Sequence, residues 1–120
     1  MTKIKLPTRG EIYLVNFDPT IGSEIKKTRP ALIIQNDIAN EHSPVIIVAA
    51  ITSKFDDMLY PTEVMIAGGE GGLKQDSIVL LNQIRSIDKR RLTKKMGRAK
   101  DLTLKKVDFA LKISLGLIEI

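Results

Sequence analysis

The chain has 120 residues, no cysteine and a formal net charge of +5. That length fits one domain spanning residues 1–120 and can bury a core without a metal or disulfide staple. The lack of thiols excludes thiol catalysis, thiolate metal sites and a disulfide framework. No apolar run is long enough to span a membrane, and residues 1–7 are basic without the apolar stretch of a secretory signal, so the cytoplasm is the expected compartment.

Residues 11–17 are rich in β-branched and aromatic side chains and predict a first strand. Asp18-Pro19-Thr20 is turn chemistry. Residues 22–28 predict a polar, flexible loop ending at Arg29. Pro30 then opens a second strand over residues 31–35, its fixed φ and missing N–H suiting a first strand position. Residues 36–44 predict a loop. Residues 45–51, continuously apolar, predict a central strand buried on both faces, with Thr52 and Ser53 where it emerges. Residues 54–62 are irregular and 63–66 a short strand. The glycine-rich turn at 67–72 is followed by no Gly-Lys-Ser/Thr, so it does not predict a phosphate loop. Residues 77–83 read as another buried strand, which 85–88 continue or pair with, and 94–99 as a short basic strand. Residues 101–118 predict the one convincing helix. Asp101 lies at its start, and Leu104, Val107, Leu111 and Ile118 form a stripe widened by Ala110 and Leu117. Phe109 and Ile113 interrupt the polar side, so a second subunit is expected to cover part of this helix. The predicted architecture is mostly β: a small antiparallel barrel capped by a C-terminal helix.

Charge is unevenly distributed. Residues 85–106 hold ten of the nineteen basic residues and two acids, a local +8, leaving −3 for the remainder. Such a segment is the footprint expected for a polyanion such as nucleic acid. The single histidine, His42, excludes a histidine pair within one chain and reads as a surface residue. The carboxylates are scattered, with only Asp56 and Asp57 adjacent, so no metal site and no cofactor is predicted. What remains for chemistry is Arg, Lys, Thr, Ser and backbone amides. That set suits a phosphoryl transfer whose substrate brings its own nucleophile, as RNA does with its 2′-hydroxyl.

In order and spacing, Arg9-Gly10-Glu11-Ile12-Tyr13, Asp18-Pro19, Gly22-Ser23-Glu24, Thr28-Arg29-Pro30, Ile34-Gln35-Asn36, Ala49-Ala50-Ile51-Thr52 and Leu80-Leu81-Asn82-Gln83-Ile84-Arg85-Ser86-Ile87-Asp88 resemble the MazF/PemK toxin family, most closely its Gram-positive MazF type. Residues 108–117 resemble that family's last helix. The resemblance implies an SH3-like barrel with a C-terminal α-helix, acting as a homodimer in a toxin–antitoxin system. It implies a metal-independent, sequence-specific endoribonuclease that cuts single-stranded mRNA, leaves a 2′,3′-cyclic phosphate and a 5′-hydroxyl, and is blocked by a MazE-like antitoxin. The family's catalytic arginine and threonine fall on Arg29 and Thr52. Ser23, Lys26, Lys27, Gln83 and Arg85 fall where RNA contacts are expected. Leu80 and Asn82 stand where some PemK-type relatives carry a basic and an acidic residue, so an acid–base role there is absent. A gyrase-poisoning toxin of the same fold and a non-catalytic nucleic-acid-binding barrel are the alternative readings.

Overall fold

A computed structural model describes residues 6–119. Most of the basic N-terminal stretch therefore lies outside the described residues. The strands are β1 (Glu11–Asn16), β2 (Thr28–Ile33), β3 (Val45–Thr52), β4 (Glu63–Ile66), β5 (Ser77–Asp88) and β6 (Leu92–Arg98), and the helices α1 (Asp37–His42) and α2 (Asp101–Ser114). They form one antiparallel sheet in the order β4-β5-β3-β2-β1-β6. The expected small barrel with a C-terminal helix is present, as a sheet whose ladder stays open between β4 and β6. No helix among the described residues is long and apolar enough to cross a membrane.

Strand alternation divides the core between the two faces of the sheet. Ile12, Leu32, Ala49, Ile51, Val79 and Leu81 face the side covered by Val107 and Ala110 of α2. Tyr13, Val15, Phe17, Ala31, Ile33, Val48, Ala50 and Ile87 pack together on the other side. Strand β3 supplies both faces, as its unbroken apolar run predicts. Full burial of side chains such as Ile33 and Phe17 is worth about 1.5–3 kcal/mol each.

Three local expectations are corrected, and one open choice is settled. The second strand begins at Thr28, so Arg29 and Pro30 lie inside β2 and not ahead of it. Pro30 is tolerated because it pairs with Leu14 of β1 while the ladder to β3 starts only at Ala31. Residues 36–44 contain helix α1, because the Asn36 side chain accepts the Ala39 amide at 2.8 Å and caps it. On the inner side of α1, fully buried Asn40 donates to the Gln35 carbonyl at 2.9 Å and accepts from the Gln35 side-chain amide at 3.0 Å. Of the two readings for residues 85–88, continuation holds: 77–88 are one strand of 12 residues. Helix α2 ends at Ser114, short of residue 118, where Gly116 at φ 72° donates to the Ile113 carbonyl and Leu117 to Lys112. This pair of bonds with a left-handed glycine is a helix-stopping motif.

The glycine-rich turn serves packing. A Cβ on Gly97 of β6 would lie 2.6 Å from the Gly71 carbonyl carbon, so the turn approaches β6 backbone to backbone. From this turn, Glu70 accepts the Lys100 amide at 3.0 Å and the Thr103 hydroxyl at 2.7 Å. The start of α2 is thus capped by a side chain thirty residues away in sequence. Arg9 fixes the opposite side of the helix, pairing with Asp108 at 2.7 Å while its Nε donates to the Ile34 carbonyl at 2.9 Å.

Candidate nucleic-acid interface

Arg29 and Thr52 come from adjacent strands. The β2–β3 ladder ends with Ala31 opposite Ala50, and continuing that register two residues past the last pair would set Arg29 level with Thr52. Both stand on the face that carries Ala31 and Ala50, at its rim. The Arg29 Nε donates to the Lys26 carbonyl at 2.8 Å. That bond orients the guanidinium and leaves its two Nη groups without a hydrogen bond among the described residues. The Thr52 hydroxyl oxygen accepts the Lys54 amide at 3.1 Å. Its own proton faces the Lys54 carbonyl at 3.5 Å, a weak contact that can give way to a better acceptor.

The β1–β2 loop beside these residues is more constrained than its polar composition predicts. Its neck is closed by the Phe17 amide donating to the Lys27 carbonyl at 3.0 Å and by the Lys27 amide donating to the Asp18 carboxylate at 3.0 Å. Lys27 is in the left-handed region at φ 68°, which turns the chain into β2. At the tip, the Ile21 amide donates to the Glu24 carboxylate at 2.7 Å. Arg85 donates to the Phe17 carbonyl at 2.6 Å, and Arg91 to the Asn16 carbonyl at 2.9 Å and to the Asp18 carbonyl.

Gln83 reaches the loop because β5 is irregular. Opposite Ala49 and Ala50 of β3 stand Ile84 and Leu80, so three residues bulge out of that pairing. A bulge re-aims side chains. Here it lets Gln83 accept the Ile25 amide at 3.1 Å and donate to the Ser23 carbonyl at 3.1 Å. Both ends of the amide expected to meet RNA are therefore engaged with the loop. A hollow of about 270 Å³ lies between loop and sheet, lined by Phe17, Glu24, Ile25, Asn82, Gln83 and Arg85. A second, of about 420 Å³, opens beside Thr52.

The structure places Arg29 and Thr52 at the same end of neighbouring strands and gathers Ser23, Lys26, Lys27, Gln83 and Arg85 around the loop. It disperses the basic segment. Arg90 pairs with Asp88, Lys95 with Glu11 at 2.5 Å, Arg98 donates to the Arg9 carbonyl, and Lys89 to that of Asn40. Several of these cations thus spend their bonding on the fold. Burial pushes the Glu11 carboxyl up, but Lys95 and the bonds to Thr8 outweigh it and hold the group below its ordinary value. Arg91, part of the basic run, instead holds the carbonyls of Asn16 and Asp18, acceptors that leave no mark in the sequence. His42 is exposed, as expected.

Residues 8–115 match the family of PemK-like, MazF-like toxins of type II toxin–antitoxin systems. The chain is 49% identical over 111 residues to endoribonuclease EndoA of Bacillus subtilis (strain 168), covering 92% of this chain and 96% of that protein. Among solved structures it superposes on MazF from Deinococcus radiodurans with a TM-score of 0.81 at 28% identity, covering 94% of this chain and 99% of that one. A chain of the MazE–MazF structure from the same organism gives a TM-score of 0.75 at 25% identity, covering 94% and 98%.

Proposed function

The chain belongs to the PemK-like, MazF-like toxins of type II toxin–antitoxin systems, and on that footing we propose that it is a metal-independent ribonuclease whose reaction is centred on Arg29 and Thr52. It is an endoribonuclease, and its substrate is single-stranded mRNA. The ribose 2′-oxygen attacks the adjacent phosphorus, the P–O5′ bond breaks, and one proton passes in net from the 2′-oxygen to the 5′-oxygen. The products are a 2′,3′-cyclic phosphate and a 5′-hydroxyl, with no co-reactant.

The observation that carries this reading is that Arg29 and Thr52 lie two residues beyond the paired Ala31 and Ala50, at one end of the adjacent strands β2 and β3. A guanidinium stays protonated near neutral pH, so Arg29 acts as a charge donor, its fork matched to two phosphate oxygens of the phosphorane. The Thr52 hydroxyl donates to the same oxyanion or holds the 2′-hydroxyl. Lys26 and Lys27 hold flanking phosphates, as does the remaining donor capacity of Arg85. Ser23 meets the RNA from the loop. Gln83 is a positioning residue, since its amide sets the place of Ser23 and Ile25.

The working unit is a homodimer of a single 1–120 domain in the cytoplasm. Support comes from α2, where Phe109 is 60% exposed beside a groove of about 440 Å³ lined by Leu59, Pro61, Val64 and Met65. An apolar surface of this kind calls for a partner. A MazE-like antitoxin with an acidic, partly disordered segment inhibits the dimer by occupying the space beside Arg29. Incubation with a long single-stranded RNA in EDTA tests the reading. Cleavage to cyclic-phosphate ends is expected, whereas binding without cleavage would reduce the protein to a nucleic-acid-binding module.

A further inference from the structure

The hollow of about 420 Å³ beside Thr52 is lined also by Lys54, Phe55, Asp56, Met58 and Tyr60, none of which has a part in the reaction above. Its apolar lining is turned outward. Tyr60 is 57% exposed and Phe55 38%. The Tyr60 main chain is nonetheless held in place. Its amide donates to the Glu63 carboxylate at 2.9 Å, and its carbonyl accepts the Glu63 amide at 2.9 Å, a reciprocal pair that locks the entry to β4. The result is an exposed aromatic ring on a held stretch of backbone, lining a cavity that shares a wall with Thr52.

We propose that this hollow holds one unstacked nucleobase of the RNA, next to the bond that is cut, with Tyr60 and Phe55 as the stacking surfaces. Single-stranded RNA is read where splayed bases stack on aromatic rings and meet polar groups at their edges. The Asp56 carboxylate supplies an acceptor for an exocyclic amino group, which cytosine, adenine and guanine carry and uracil lacks. Lys54 supplies a cation for the phosphate that follows. Continuity with Thr52 selects this occupant, because a nucleotide bound there at its phosphate must put its own base or the neighbouring one within reach of the hollow. The inference rests on the endoribonuclease reading and assigns it a specificity site.

Two measurements separate the inference from its premise. The first maps cleavage sites in a random-sequence single-stranded RNA pool. Tyr60→Ala should raise KM about tenfold, in the range of one base–aromatic stack. It should leave kcat near wild type and flatten the preference at one nucleotide beside the cut. Tyr60→Phe should keep both, and Asp56→Asn should shift the preference away from amino-bearing bases. The second measures binding of a 2′-O-methyl oligoribonucleotide pool, which cannot be cut, and expects the same tenfold loss for Tyr60→Ala. Wild-type protein that binds this pool but leaves ordinary RNA intact, with binding weakened by Tyr60→Ala, would sink the nuclease reading and support the subsite. Cleavage with an unchanged site profile and KM in Tyr60→Ala would overturn the subsite and leave the nuclease. Loss of the dimer in Tyr60→Ala on sedimentation would also overturn it, by assigning the ring to a subunit contact.

Discussion

Gln83 takes the Ile25 amide at 3.1 Å across 58 residues of sequence, so the β1–β2 loop and the bulge in β5 hold one another in place. Gln83→Ala removes this bond and the bond to Ser23 while leaving the core untouched. A loosened positioning element costs up to about a hundredfold in rate, and kcat/KM should fall about tenfold or more with an unchanged melting temperature. Gln83→Glu keeps the acceptor for Ile25 and loses the donor for Ser23, so it should fall between wild type and Ala. Equal turnover in all three proteins would remove Gln83 from the site.

Arg29→Ala should keep the fold, because Arg29 is only half-buried and its one bond among the described residues is to the Lys26 carbonyl. Cleavage should drop on the order of 10²–10³, as for removal of one transition-state charge donor. Arg29→Lys should also fail, since an ammonium cannot present two parallel donors. Near-normal rates in a gel assay for either variant would contradict the assignment.

Affinity for RNA should fall steeply with salt. Lys26→Ala with Lys27→Ala should lower the magnitude of the salt slope by about one for each phosphate that a lysine no longer neutralises. Lys95→Ala should change it less, because Lys95 is paired with Glu11. Binding constants at three or four ionic strengths decide this.

The Glu11 carboxyl lies below its ordinary value in the folded chain. A depressed carboxyl stabilises the fold above the pKa of the unfolded chain, about 4.3, and loses that contribution as pH falls through the lower folded value. Glu11→Gln should therefore melt earlier than wild type at pH 7, and the gap should close as the pH drops below about 4. Thermal melts from neutral to acidic pH would show the two curves meeting; a gap independent of pH would contradict the linkage.

Sedimentation at micromolar concentration should give about twice the 13.3 kDa chain mass. Phe109→Glu should shift the protein toward monomer and lower cleavage with it, because a charge would enter the face that α2 presents. An active strict monomer would argue against a shared groove.

Much of the fold was legible from hydrophobic pattern, because β3 and β5 carry long apolar runs that have few other uses. What escaped depended on partners distant in sequence. Residues 36–44 read as a loop from their polar composition, and only the Asn36 cap and the buried Asn40–Gln35 exchange make α1. The basic segment at 85–106 reads as one footprint, yet Arg91 and Arg98 reach backbone carbonyls of β1 and its flanks. Arg29 and Thr52 were legible through family likeness, whereas the turn of Gln83 toward the loop depends on a bulge that no local pattern announces.

The sheet has two unlike ends. At β6, the Gly71 turn lies against Gly97 and lysines stud the exposed stretch before it, while β4 borders a groove that Leu59, Met65 and Phe109 line together with Glu63, Lys105 and Lys106. Strand-by-strand growth of a fibre needs two receptive edges on each molecule, and the β6 end is not one of them. Association along the β4 edge terminates at a pair, so concentrated protein should stay dispersed and resist seeding by its own aggregates.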